Sequence, residues 1–202
     1  MLIVDDHPLM RTGLAAVLEE DETLQIVGQA TNGCEAVEVH RRLRPDIVLM
    51  DIQMPEMDGV AATKAICREF PDARIIVFTT YRGDVQARDA LVAGAKAYLL
   101  KSAIRTELID AIREVSSGRR YIAADVAREL AEHMESESLS NRERQVIECI
   151  AAGNSNKRVG ALLGISEDTV KNHVKSILGK LGALDRTHAI NIAYRRGILA
   201  PK

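Results

Sequence analysis

Asp46-Ile47-Val48-Leu49-Met50-Asp51, followed by Ile52-Gln53-Met54-Pro55-Glu56-Met57-Asp58-Gly59, decides how this chain folds. Four consecutive apolar residues without polar alternation mark a strand buried on both faces, as a parallel sheet covered by helices on each side requires. Pro55 and Gly59 then force a loop before the next helical stretch. Working outward, short apolar runs recur at Leu2 to Val4, Gln25 to Gly28, Arg74 to Phe78 and Ala97 to Leu100. Amphipathic stretches alternate with them near 8–20, 33–43, 59–69, 84–93 and 105–116, with Pro8 placed to open the first. The pattern predicts an α/β architecture, a (βα)₅ doubly wound parallel-sheet domain over residues 1–116. Its first strand is short, with three apolar residues before Asp5, which points to a start that is trimmed or misassigned.

Parallel strands converge at their carboxyl ends, where ligand crevices form. Asp5, Asp6, Asp51, Thr79 and Lys101 all fall at such ends and are expected to share one site. Three carboxylates held together call for a hard cation, and a small octahedral ion taking one or two carboxylates fits Mg²⁺. Lys101 supplies a point charge for an anion such as a phosphoryl group, and Thr79 a hydroxyl donor. Asp51, exposed on its loop, is a candidate nucleophile toward phosphorus. His7, beside the acidic pair, reads as a loop residue.

Charge divides the chain. Lys and Arg number 27 against 29 Asp and Glu, a net of -2, but residues 139–202 carry 11 basic and 5 acidic side chains. The remaining 138 residues carry 16 basic and 24 acidic ones. A basic tail on an acidic front suits a nucleic-acid partner for the tail alone. No apolar run is long enough to span a bilayer and no secretory leader is seen, so a cytoplasmic protein with no membrane partner is expected. Cys34, Cys67 and Cys149 are far apart and form no CxxC pair, which suggests neither a disulfide framework nor a zinc site. Cys67 and Cys149 fall on expected buried helix faces.

Residues 117–138 read as a linker with a helical segment, Ala123 to Met134, and a polar end, Glu135 to Ser138. From Leu139 the pattern is all helical, near 140–152, 155–163, 166–180 and 186–195. Ser140 and Ser166 are placed as N-caps, the former with Glu143 three residues on, and Gly153 and Gly164 as C-terminal stops. The third of these helices has an apolar stripe of Val170, Val174, Ile177, Leu178 and Leu181. Thr169, Lys171, Asn172, His173 and Lys175 cannot all join it, and such a face near a helix start suits the major groove of double-stranded DNA. Lysines there meet phosphate or guanine, and Asn172 can pair with adenine.

Two resemblances sharpen these expectations. Val4-Asp5-Asp6-His7, Asp51 with its Met-Pro-x-Met-Asp-Gly tail, Thr79, and Ala97-Tyr98-Leu99-Leu100-Lys101 closely resemble the receiver domain of bacterial two-component response regulators. The separations also fit, at 45 positions from Asp6 to Asp51, 28 to Thr79 and 22 more to Lys101. The resemblance implies that Asp51 takes a phosphoryl group from a sensor histidine kinase. It further implies Mg²⁺ held by Asp6, Asp51 and the carbonyl of Gln53, with Asp5 acting partly through water, and Thr79 and Tyr98 as a switch pair. Gln53 and Tyr81 stand at family-variable positions near the path of attacking water, and the bulk of Tyr81 is a candidate shield for the acyl phosphate.

Leu139-Ser-Asn-Arg-Glu-Arg-Gln-Val146, Gly153-Asn-Ser-Asn-Lys157 and Leu163-Gly-Ile-Ser-Glu-Asp-Thr-Val-Lys-Asn-His-Val-Lys175 resemble the LuxR-type helix-turn-helix. Together the two halves look like a NarL/FixJ-class response regulator. That class implies a transcription factor, not an enzyme, forming a homodimer when phosphorylated, with Lys171 and Asn172 at bases or nearby backbone, Lys175 at a phosphate and Thr169 at the helix start. The sequence departs from the family at Asn156-Lys-Arg-Val-Gly160, where Gly160 is expected to weaken its helix by about 1 kcal/mol relative to alanine. Two rival readings are an aspartyl-phosphate phosphotransferase of the haloacid-dehalogenase type and a DNA-binding regulator independent of phosphorylation. The first expects an Asp two residues after the nucleophile, where this chain has Gln53.

Overall fold

The computed structural model describes residues 1–80, 83–103, 105–133 and 137–199. Tyr81 lies outside them, as do Met134, Glu135 and Ser136 of the expected linker. The chain divides into two compact units, Met1–Tyr81 with Gln86–Arg128, and Arg82–Val85 with Glu129–Lys202.

Among the described residues six parallel strands form one sheet: β1 (Leu2–Val4), β2 (Gly28–Ala30), β3 (Val48–Met50), β4 (Ile75–Thr79), β5 (Ala97–Leu100) and β6 (Tyr121–Ile122), in the order β2-β1-β3-β4-β5-β6. The five expected strands are all present, and β6, from the segment expected to be linker, adds to the edge of β5. Strand β6 pairs through two residues only, Ala97 opposite Tyr121 and Tyr98 opposite Ile122. Strand β2 is displaced from the expected Gln25 to Gly28. Its register, Leu2 opposite Gly28 and Val4 opposite Ala30, moves it three residues along. Gly28 permits this because Leu43 and Val39 press on the position where a side chain would begin.

Helices α1 (Pro8–Glu19), α2 (Gly33–Leu43), α3 (Gly59–Glu69), α4 (Asp84–Ala93) and α5 (Arg105–Ser116) connect the strands, and α6 (Ala124–Glu132) follows β6. Alternation along each strand sorts side chains to opposite faces. Ile3, Leu49, Ile76, Phe78 and Leu99 pack with Leu14 and Leu18 of α1 and Leu108, Ile112 and Val115 of α5. Leu2, Val4, Val48, Met50 and Ile75 pack with Ala36 and Val39 of α2 and Ala62 and Ile66 of α3. Two separate cores on one sheet are the doubly wound arrangement that the apolar run at 47–50 predicts.

The second unit holds α7 (Asn141–Ala151), α8 (Asn156–Leu163), α9 (Glu167–Leu181) and α10 (Arg186–Arg195). Val146, Ile147, Ile150, Val159, Val170, Ile177, Ala189 and Ile192 form its core. Ser140 caps α7 in a complete capping box with Glu143, and Ser166 caps α9 by accepting the Thr169 N–H. Gly164 ends α8 in the left-handed conformation, φ 66°. Among the described residues no helix is long and apolar enough to cross a membrane.

Candidate functional site

The strand ends deliver the first site. Beyond the paired residues, Asp5 N–H donates to the Ala30 carbonyl at 3.1 Å, Asp51 N–H to Val4 at 2.9 Å and Lys101 N–H to Thr79 at 2.7 Å. Each bond carries the parallel ladder one residue past a strand, so three site residues inherit the rigidity of the sheet. The loop after Asp51 folds back through Gly59 N–H, 2.8 Å from the Ile52 carbonyl. A Cβ on Gly59 would stand 1.9 Å from the Asp51 carbonyl oxygen, so only glycine lets the backbone close there. Glu56 takes up the loop's sharpest bend at φ 64°.

Lys101 Nζ sits 2.6 Å from Asp5 Oδ2 and 2.7 Å from Asp51 Oδ2. Asp5 Oδ1 accepts the His7 N–H at 2.9 Å, and Arg11 donates to the Asp5 carbonyl at 2.7 Å. Asp51 Oδ1 accepts the Ile52 N–H at 2.7 Å. Asp51, expected to be exposed on its loop, is instead buried against Lys101 and the backbone of Ile52. This burial pushes its carboxyl above its ordinary range, opposed by Lys101 and aided by Asp5. Burial lowers Lys101, but hydrogen bonds and charge from Asp5 and Asp51 outweigh it and leave the ammonium raised.

Oxygen and nitrogen atoms of Asp5, Asp6, His7 and Asp51 lie within 4.8 Å of one another, a group able to hold a metal ion. Asp6 Oδ1 and Thr79 Oγ1 are buried and take part in no hydrogen bond. Buried polar atoms are rarely left so, and here the two atoms suit a cation and an anion respectively. The carboxylate oxygens of this donor set fit a hard divalent ion. Tyr98 is fully buried on β5, and burial together with the nearby Asp51 charge raises its phenol. Gln53 is half-buried two residues after Asp51. Asp5, Asp6, Asp51, Thr79 and Lys101 thus fall at one sheet edge, whereas Tyr98 lies within β5 and Tyr81 is outside the described residues. Arg11 was missed, since nothing local in a helix sequence says that its side chain turns back to the Asp5 carbonyl.

In the second unit Lys171, Asn172 and Lys175 are exposed on α9, while Thr169 and His173 are half-buried. Val170, Ile177 and Leu181 are buried beneath them, with Val174 and Leu178 packed alongside. Lys171 Nζ is held by its own helix, 2.9 Å from Asp168 and 3.8 Å from Glu167. Thr169 Oγ1 lies 2.8 Å from Ser166 Oγ. The α8–α9 turn is fixed from below, where Ile165 N–H donates to the Gly160 carbonyl at 3.0 Å. Beside its expected cost to α8, Gly160 has a role at this turn. A Cβ at this position would be 2.7 Å from the Ile165 carbonyl, so glycine admits the turn.

Glu143 reaches further than its cap. Its Oε1 accepts from Ser176 at 2.6 Å, and its Oε2 from Ser140 N–H at 2.7 Å and Lys180 at 2.9 Å. Burial opposes ionisation of this carboxyl, but the bonds from Ser176, Lys180 and Ser140 win and draw it down to about 2. Sequence spacing pointed to the cap and not to the α9 contacts.

Residues 1–113 match the response regulator receiver domain, and residues 137–193 match the bacterial regulatory proteins of the luxR family. The chain is 40% identical over 207 residues to the transcriptional regulatory protein LiaR of Bacillus subtilis, spanning 98% of each protein. It is 33% identical over 204 residues to the response regulator protein VraR of Staphylococcus aureus, again over 98% of each. Among solved structures, RcsB of Salmonella enterica serovar Typhimurium, bound to promoter P1flhDC in the presence of the phosphomimetic BeF3-, is 26% identical with a TM-score of 0.73, over 96% of this chain and 97% of that one. With an acidic crevice at the sheet edge of the first unit and a capped helix-turn-helix in the second, the chain belongs to the two-component response regulators that join a receiver domain to a LuxR-type DNA-binding domain, transcriptional regulators and not enzymes.

Proposed function

We propose that Asp51 is the phosphoacceptor and that its modification switches DNA binding by the LuxR-type domain. The observation that carries this reading is Lys101 Nζ seated between the Asp5 and Asp51 carboxylates at 2.6 and 2.7 Å, a cation already in place for an incoming anion. A sensor histidine kinase is the donor. An Asp51 oxygen attacks phosphorus as the P–N bond of phosphohistidine breaks, with the electron pair returning to the imidazole. Mg²⁺, when bound, neutralises charge on the phosphoryl oxygens and is held by Asp6, Asp51 and the Gln53 carbonyl, with Asp5 through water. Lys101 and the Thr79 hydroxyl take phosphoryl oxygens, and Tyr98 is the partner of Thr79 in the switch.

The receiver is assigned to 1–116, the linker to 117–138 and the DNA-binding domain to 139–202. Lys171 and Asn172 meet bases or adjacent backbone, Lys175 meets a phosphate, and Thr169 supports the helix start on double-stranded DNA. Phosphorylation shifts a two-state receiver toward a homodimer, in the cytoplasm.

The test compares wild type with Asp51→Ala, each with and without Mg²⁺ and acetyl phosphate, by light scattering and by binding to a pool of duplex DNA. A gain in dimer and in DNA affinity confined to wild type is expected. Equal behaviour of the two proteins would leave a regulator that binds DNA without phosphorylation.

A further inference from the structure

The acidic crevice contains a nitrogen that the family reading leaves without a role. His7 Nδ1 lies 2.8 Å from Asp6 Oδ1 and 3.5 Å from Asp5 Oδ1. Asp6 Oδ1 is nonetheless buried without a hydrogen bond, so the contact lacks the alignment of one. Two neighbouring ligands on an octahedral ion with bonds of about 2.1 Å stand about 3 Å apart. His7 Nδ1 and Asp6 Oδ1 therefore have the spacing of two neighbouring ligands on one ion.

Lys101 holds Asp5 Oδ2 and Asp51 Oδ2. Asp6 Oδ1, beside His7, is the carboxylate oxygen that no hydrogen bond occupies. The backbone of His7 is fixed in advance. Its N–H is bound to Asp5 Oδ1, its carbonyl takes the N–H groups of Met10 and Arg11, and Pro8 restricts it to the extended conformation it has. The side chain forms no cap hydrogen bond and is 72% exposed, so neither packing nor capping explains its place.

We propose that His7 is a metal-selecting residue, adding one imidazole nitrogen to the carboxylate set so that the crevice takes a nitrogen-favouring divalent transition ion, such as Ni²⁺, more tightly than Mg²⁺. Carboxylate and water sets suit Mg²⁺ and Mn²⁺, whereas imidazole shifts preference toward the later first-row ions. The inference rests on the reading of this crevice as the receiver's metal site. A consequence is that metal supply, besides phosphodonor supply, sets which ion faces Asp51.

The experiment is calorimetric titration of the full chain with Ni²⁺ and with Mg²⁺, separately and in competition. Because Glu129, Glu132 and His133 also bring ligand atoms within 4.8 Å of one another, all proteins carry His133→Ala. His7, His7→Ala and Asp6→Asn forms are compared, with circular dichroism confirming that each is folded. The expected result is Ni²⁺ binding that competes with Mg²⁺ and weakens by about tenfold or more in His7→Ala, with Mg²⁺ affinity unchanged. Equal Ni²⁺ affinity of the His7 and His7→Ala forms, with Mg²⁺ bound normally by both, overturns the role of His7 and leaves the metal site standing. Mg²⁺ binding that is absent, or indifferent to Asp6→Asn, overturns the metal-site reading itself and this inference with it.

Discussion

Asp51 and Glu143 are both buried carboxylates, each beside a lysine at 2.7 and 2.9 Å, yet they are driven in opposite directions. Asp51 has one hydrogen bond from a backbone N–H and shares its lysine with a second carboxylate, so burial wins and its proton is held more tightly. Glu143 collects a hydroxyl, an ammonium and a backbone N–H with no carboxylate competing, and its proton is lost more easily. The difference teaches that a lysine partner does not decide what a buried carboxylate does; the remaining donors do. An under-served carboxylate keeps capacity for a ligand, whereas a fully served one is a fastener.

The comparison is broken most directly at Glu143. Glu143→Gln leaves Lys180 without its carboxylate and weakens the junction of α7 and α9. We expect a loss of about 2–3 kcal/mol from the helical unit, read as an earlier denaturant transition of that unit alone. The same contact carries an acid signature. A depressed folded value means stability that is complete above the ordinary value of 4.5 and is lost as pH falls toward about 2. In Glu143→Gln that acid limb is absent.

A smaller effect is expected at Gly160. Alanine is the better helix former, but its Cβ meets the Ile165 carbonyl, and the net result is a loss of about 1–2 kcal/mol in denaturant melts of the helical unit. A gain in stability would show that the α8–α9 turn can retreat. The smallest change is expected at Asp51. Because its folded value is raised, the ionised form burdens the receiver at neutral pH, so Asp51→Asn in metal-free buffer should melt at the same temperature or higher. A marked drop would place Asp51 with Glu143 as a fastener and end the contrast.

Much of this was legible in the chain itself. The bounds of α2, α3, α4, α5 and α10 agree with the expected spans, because caps, glycines and apolar period all act within a few residues. The receiver crevice was legible because strand ends in a parallel sheet must converge. Three features were not. Strand β2 was drawn too early by Ile26 and Val27, although Val27 is exposed and the register is set by β1. Strand β6 is two residues long and exists only as an edge to β5. Glu143 meets Ser176 and Lys180, residues 33 and 37 positions away, and no local pattern announces a contact at that distance.

The contact between Gly59 and the Asp51 carbonyl has a consequence for variation. Every coded alternative to glycine adds a Cβ, so no change of residue here is mild, and position 59 tolerates as little substitution as a nucleophile although it offers no functional group. Gly13 and Gly179 meet nothing within 4 Å of the same added atom, so a side chain there has room. Selection on this chain is thus exerted through an atom that must stay missing as well as through those that must be present.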